Sequence, residues 1–241
     1  MKAYLHKITW LTIFSIAMGF METAVVIYMR KLYYPGGFSF PLIPIDMNIA
    51  LIEFLREAAT IIMLAGIGIL AGRTSAQKFA FFIYCFAIWD LFYYVFLKLF
   101  INWPASFFTW DILFLIPVPW LGPVLAPCII SITMILLAFT IIYFDIKDCN
   151  TSLIQKEWLL FITGCLIVLF SFMQNYCGYI VAEPNSNNIL TLSGSGSLFT
   201  NICKYVPTTY NWGAFIIGEF IILCSLFLFA IRMKKLNDSI K

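Results

Sequence analysis

Glu22, Glu53, Arg56, Glu57, Asp90 and Glu219 are the residues of this 241-residue chain whose types and positions invite chemistry. Each lies within a long apolar segment. A charge in hydrocarbon costs roughly 2.5–3.5 kcal/mol even on the gentler insertion scales, so these side chains must face protein, water or a ligand. Glu53, Arg56 and Glu57 are spaced to share one helical face, which Thr60 continues. Glu22 precedes Arg30, and Asp90 precedes Lys98, by the same interval, about 12 Å along a helix axis. Taking Arg30 and Lys98 as interface anchors, and counting inward from Trp212 to Glu219, puts Glu22, Asp90 and Glu219 at one level. Tyr94 stands beside Asp90 with a hydroxyl to offer. Glu53, Glu57, Lys98 and Asp111 are expected at the mouth of the same site.

The acids outnumber the bases at that depth. Arg56 is the one base read as lying within the segments, and a guanidinium suits two carboxylates at once. The surplus carboxyls must carry protons or meet a cation or a bound base. A buried network that only locks the bundle would seldom tolerate the excess. A binding pocket for a cation, a proton or an amine is therefore the expected chemistry. Carboxylate oxygens also suit hard cations such as Mg²⁺ or Ca²⁺. No metal ligands and no cofactor are assigned: the chain has a single histidine, His6, whereas haem, zinc and di-iron centres use several. No phosphate-binding glycine loop, serine-nucleophile elbow or zinc-protease motif is present, and no catalytic residue is assigned.

The elements that hold these residues are set by composition. Apolar residues make up 62% of the chain and charged ones 11%, with a mean hydropathy of +0.94. Soluble domains carry about 25% charged residues, so the solvent here must be largely lipid. A net charge of +3, with bases flanking apolar segments, is a topology signal and implies no nucleic-acid partner. The seven cysteines form no C-x-x-C and read as small apolar residues, with a Cys177–Cys203 disulfide open if both reach the outer face. The first apolar run, from Ile8 to Met29, is too long for a signal-peptide core and contains Glu22, so it reads as a retained helix.

The predicted fold is an all-α, polytopic membrane bundle in one domain, 1–241. Its six spans are near 8–30, 48–72, 78–101, 119–144, 157–182 and 211–233. A re-entrant or interfacial hairpin is expected over 103–120 on the outer face. Trp110-Asp111 after Thr109 reads as a helix start within it. Gly122-Pro123 and Ala126-Pro127 predict kinks in the fourth span. Gly68-x3-Gly72 predicts a close helix approach, within the chain or across a dimer. The matching Glu22…Arg30…Pro35 and Asp90…Lys98…Pro104 patterns suggest a parallel repeat. No ionisable residue is expected in the inner half of a span.

Six spans place both termini on one side. Lys2, Lys7, Arg73, Lys78, Lys147, Lys156, Arg232, Lys234, Lys235 and Lys241 then lie on that side, against Arg30, Lys31, Lys98 and Lys204 opposite. This bias predicts cytoplasmic termini in a plasma or inner membrane. Outer loops, including Glu183–Tyr210 with its Ser193–Ser197 Ser/Gly run, are long and aromatic. Three functions fit: a small transporter or permease-like protein for a cation, proton or amine-bearing solute; an accessory subunit docking a membrane-protein partner through the aromatic outer cap; or an intramembrane enzyme acting on lipid or isoprenoid with a carboxylate acid/base pair.

Overall fold

The computed structural model describes residues 2–147, 151–182 and 203–240. Six long helices form a bundle: α1 (Lys2–Tyr33), α2 (Met47–Ala71), α3 (Ser75–Ile101), α4 (Leu125–Asp145), α5 (Gln155–Ala182) and α6 (Trp212–Ile240). Each is long and apolar enough to cross a membrane. Between α3 and α4 lies an antiparallel hairpin of β1 (Trp110–Phe114) and β2 (Trp120–Pro123). Most of the loop over 183–210, with its Ser/Gly run, lies outside the described residues, as does Cys149. Cys177 is a free thiol, so the Cys177–Cys203 bridge does not form.

Local chemistry explains where the helices stop. The Asp46 carboxylate accepts the Asn48 N–H and starts α2, and the Thr74 hydroxyl accepts the Gln77 N–H and starts α3. Asn102 closes α3 in the left-handed region, at φ 51°, a conformation asparagine tolerates better than most residues. The helix start expected at Trp110-Asp111 is a strand instead. Thr109 spends its hydroxyl on the Ser106 N–H within a turn, leaving no cap. The aromatic and β-branched residues that follow suit a pleated, half-buried ribbon.

The fourth span is also corrected. Gly122 and Pro123 belong to β2, and the helix begins only at Leu125. Pro127 then falls in the first turn, where a missing N–H removes no helical bond, so neither dipeptide kinks the helix. A Cβ on Gly122 would sit 3.0 Å from Phe172 Cδ1, so glycine lets β2 lie against α5.

α3 is the hub: α1, α2 and α4 all pack along it, while α5 pairs with α6 and contacts β2. The close approach at Gly68 and Gly72 is made to α3 within the chain. A Cβ would lie 2.9 Å from Lys78 O at the first and 2.4 Å from Lys78 N at the second. Helix directions alternate, so the start of α1 and the end of α6 share one end of the bundle, called here the terminal end. Tyr4 of α1 and Gln77 of α3 both donate to Asp145 at the close of α4 there, at 2.6 and 2.7 Å. The β-hairpin marks the opposite, hairpin end. Between the two ends, Leu64, Phe81, Tyr84, Ile141, Phe229 and Met233 form a continuous apolar core.

The terminal half is not free of buried charge, contrary to the sequence expectation. Glu157 is 2% exposed. It accepts two 2.7 Å hydrogen bonds from Arg232 and a third from the Ile154 N–H. Arg232 also donates to Ser152 O. Glu157 and Arg232 sit at the ends of their spans, where counting along the sequence reads them as solvent-facing. The paired geometry comes from α5 lying against α6.

Candidate functional site

A cavity of about 190 Å³ lies at the hairpin end. Glu22, Val26 and Arg30 line it from α1, and Glu53, Arg56 and Glu57 from α2. α3, which packs on both, contributes Trp89, Asp90, Tyr93 and Tyr94, and β1 contributes Asp111. Phe38 and Leu42, from the segment joining α1 to α2, also border it. Seven of the nine residues expected at the site therefore surround one cavity: Glu22, Glu53, Arg56, Glu57, Asp90, Tyr94 and Asp111.

Arg56 carries two of the carboxyls. Its Nε donates to Glu53 one turn earlier on α2 at 3.0 Å, and its guanidinium reaches across to Glu22 on α1. Arg30 carries a third. It is not the interface anchor the sequence suggested but a buried residue paired with Asp111 at 3.1 Å. Its guanidinium lies over the Trp103 ring at 3.7 Å and the Phe38 ring at 4.4 Å, which replaces part of the lost hydration. Burial raises the Asp111 pKa to about 6, against the lowering effects of the Arg30 charge, the Ile112 N–H and the Tyr94 hydroxyl.

Glu57 and Asp90 differ from these three. Among the described residues Glu57 accepts only the Leu115 N–H, at 2.8 Å, and Asp90 only the Ser131 hydroxyl, also at 2.8 Å. Among the described residues neither carboxyl has a base within ion-pair distance. The hairpin thereby joins two helices at the site, α1 through Asp111 and α2 through Leu115. Among the described residues five carboxyls face two guanidiniums around the cavity, and both guanidiniums are paired to the other three, Glu22, Glu53 and Asp111.

Two expected members fall outside. Lys98 is exposed and donates to Pro104 O at 3.0 Å. The sequence echo between Arg30 and Lys98 thus joins a buried ion pair to a surface residue. Glu219 accepts the Thr133 hydroxyl between α4 and α6. Asp90 is bonded to Ser131, two residues from Thr133 on the same helix. Residues two apart on an α-helix point to nearly opposite sides, so α4 separates Glu219 from the cavity.

Arg30, Trp89 and the Leu115 backbone are the components missed in the sequence. A signal existed for the first. A lone acid in an apolar, aromatic hairpin needs a base, and Arg30, Lys31 and Lys98 are the bases near that level. Among the described residues, no group of three or more His, Cys, Asp or Glu side chains is arranged to hold a metal ion.

Compared with models of known protein families, with curated proteins and with solved structures, the chain matches none.

Proposed function

We propose that this chain is a single-domain, polytopic integral membrane protein that binds a cation or an amine-bearing solute at its hairpin end, as a small transporter or permease-like protein. One observation carries the reading: Glu57 and Asp90 border a cavity with no basic partner for either among the described residues. A carboxyl away from bulk water needs a proton or a positive charge beside it, and a ligand ammonium supplies one. Tyr93 and Tyr94 add aromatic faces of the kind that attract such cations. Glu22, Glu53 and Arg56 act in this reading as a paired wall, and Asp111 with Arg30 as its upper edge.

The excess of Lys and Arg beside the terminal end supports a topology with both termini in the cytoplasm and the cavity on the outer side of a plasma or inner membrane. Removing Arg30 from the outward count, because it is buried against Asp111, sharpens that bias. The apolar core around Leu64, Phe81 and Tyr84 separates the cavity from the terminal end. Transport therefore requires a second arrangement in which this core parts.

The test is thermal unfolding of the detergent-purified chain against a panel of alkali and alkaline-earth cations and primary amines. A saturable rise in unfolding temperature for one class, absent in Glu57→Gln and Asp90→Asn, is the expected result. No shift with any of them, while both variants unfold like wild type, would sink the binding reading. The accessory-subunit reading has one observation of its own. Phe107 and Phe108 are 62% and 65% exposed beside the hairpin, and recovery of the chain with a stoichiometric membrane partner would favour it.

A further inference from the structure

The cavity asks for more than a cation. Among the described residues one buried acceptor on its wall, Asp111 Oδ2, and two buried donors with no ion-pair contact of their own, the Trp89 indole Nε1 and Arg30 Nη1, lack a hydrogen-bond partner. The two donor residues are only 7% and 8% exposed. Unmet buried donors are rare because each forfeits its hydration without replacement. A ligand oxygen would satisfy them. Glu57 and Asp90 require the opposite, a positive group. A single ligand that meets both demands carries an ammonium and an oxygen-rich anionic group a short distance apart.

The walls also indicate where such a ligand comes from. α1 and α2 each pack along α3 but not along one another. Across the space between them runs the Arg56–Glu22 ion pair, whose side chains remain 20% and 12% exposed. These two helices are among the least buried of the six, so their outward faces are expected to meet lipid. Charges left open between two lipid-facing helices must be met by something polar. Val26, Met29, Ala50 and Ile45 border the same cavity and suit a hydrocarbon chain beside that polar group.

We infer that the cavity takes the headgroup of an ethanolamine-type phospholipid sideways from the surrounding bilayer, through the cleft between α1 and α2. The ammonium lies at Glu57 and Asp90, and phosphate oxygens accept from Arg30 and Trp89. This rests on the amine reading above and adds to it the anionic group, the chain and the membrane source.

The experiment uses the full chain in phosphatidylcholine nanodiscs and follows thermal unfolding with four probes. These are lysophosphatidylethanolamine, lysophosphatidylglycerol, lysophosphatidylcholine and the chainless headgroup O-phosphoethanolamine. Lysophosphatidylethanolamine should raise the unfolding temperature, with the other two lysolipids at least about tenfold weaker because they lack a primary ammonium. O-phosphoethanolamine should be weaker by about tenfold or more, because it has no chain to hold it at the cleft. Glu57→Gln should lose at least about tenfold in apparent affinity. Trp89→Phe, which keeps an aromatic ring but removes the indole N–H together with the fused pyrrole ring, should lose about fivefold.

Equal potency of O-phosphoethanolamine and the lysolipid would overturn lateral access while leaving the amine reading intact. Simple amines as potent as the lysolipid, with Trp89→Phe silent, would remove the phosphate and again spare the amine. Equal effects from all three lysolipids, unchanged in Glu57→Gln, would overturn both readings.

Discussion

The two ends of this bundle treat buried carboxyls in opposite ways. At the terminal end Glu157 is saturated, with two hydrogen bonds from Arg232 and one from the Ile154 N–H, and Arg232 has Ser152 O as well. At the hairpin end, among the described residues, five carboxyls surround a cavity with two guanidiniums, and Glu57 and Asp90 each make do with a single neutral donor. A network that exists to hold helices together satisfies its charges. On the proposed reading, one that leaves charges unmet beside open space is arranged for something that arrives later. On that reading the contrast separates a fastening from a site within one chain.

The sharpest way to break the comparison is to remove the base from the saturated end. Arg232→Met leaves Glu157 buried without its partner and should cost about 3 kcal/mol in chemical unfolding, since stranding one member of a buried pair is strongly destabilising. Ligand-induced stabilisation should survive it. Arg56→Met at the other end should cost less, about 1–2 kcal/mol, because Glu22 and Glu53 border a cavity that water can enter.

Neutralising the acids instead should reverse the ranking of function and stability. Glu57→Gln and Asp90→Asn keep a carbonyl acceptor for Leu115 and Ser131, so unfolding should stay within about 1 kcal/mol of wild type while ligand stabilisation disappears. Glu157→Gln, which removes the charge that Arg232 meets, should cost about 2 kcal/mol and leave ligand stabilisation in place. If Glu57→Gln and Glu157→Gln behave alike in both measurements, the distinction between the ends fails.

The smallest effect is in the pH profile. The folded chain holds the Asp111 proton with a pKa of about 6, against an ordinary value of 3.8. The folded state therefore binds this proton more tightly than the unfolded one. The stabilisation from that difference is complete below the ordinary value and is lost as pH rises through about 6. Unfolding temperature should thus fall more steeply between about pH 4 and pH 6 in wild type than in Asp111→Asn.

Much of this arrangement was legible in the sequence, and the parts that were not share a cause. Long apolar runs and the spacing of Glu53, Arg56 and Glu57 are local properties, so six helices and one acidic face could be read directly. The structure brings Glu22 and Asp90 to the same cavity as that face, as residue counts along the helices suggest. Glu219 shows the limit. Counting along α6 gives its depth but not its facing, and it meets Thr133 on the side of α4 away from the cavity. Arg30 failed for a related reason: a base at the end of an apolar run looks like an anchor until a strand brings Asp111 over it. The β-hairpin itself was hidden by Thr109-Trp110-Asp111, which has the residues of a helix start but uses its threonine in a turn. The Glu157–Arg232 pair was invisible because its members are far apart in sequence and near segment ends.

The most direct test of the central claim is labelling of the folded chain with a membrane-permeant carbodiimide, mapped to individual residues by mass spectrometry. Such reagents modify carboxyls that they can reach and that are not held in ion pairs. Modification of Glu57 and Asp90, with Glu157 spared, is the predicted pattern, and a bound ligand should protect the first two. Modification of Glu157 as readily as Glu57, or no reaction at either hairpin-end acid, would contradict the division between a saturated fastening and an open site.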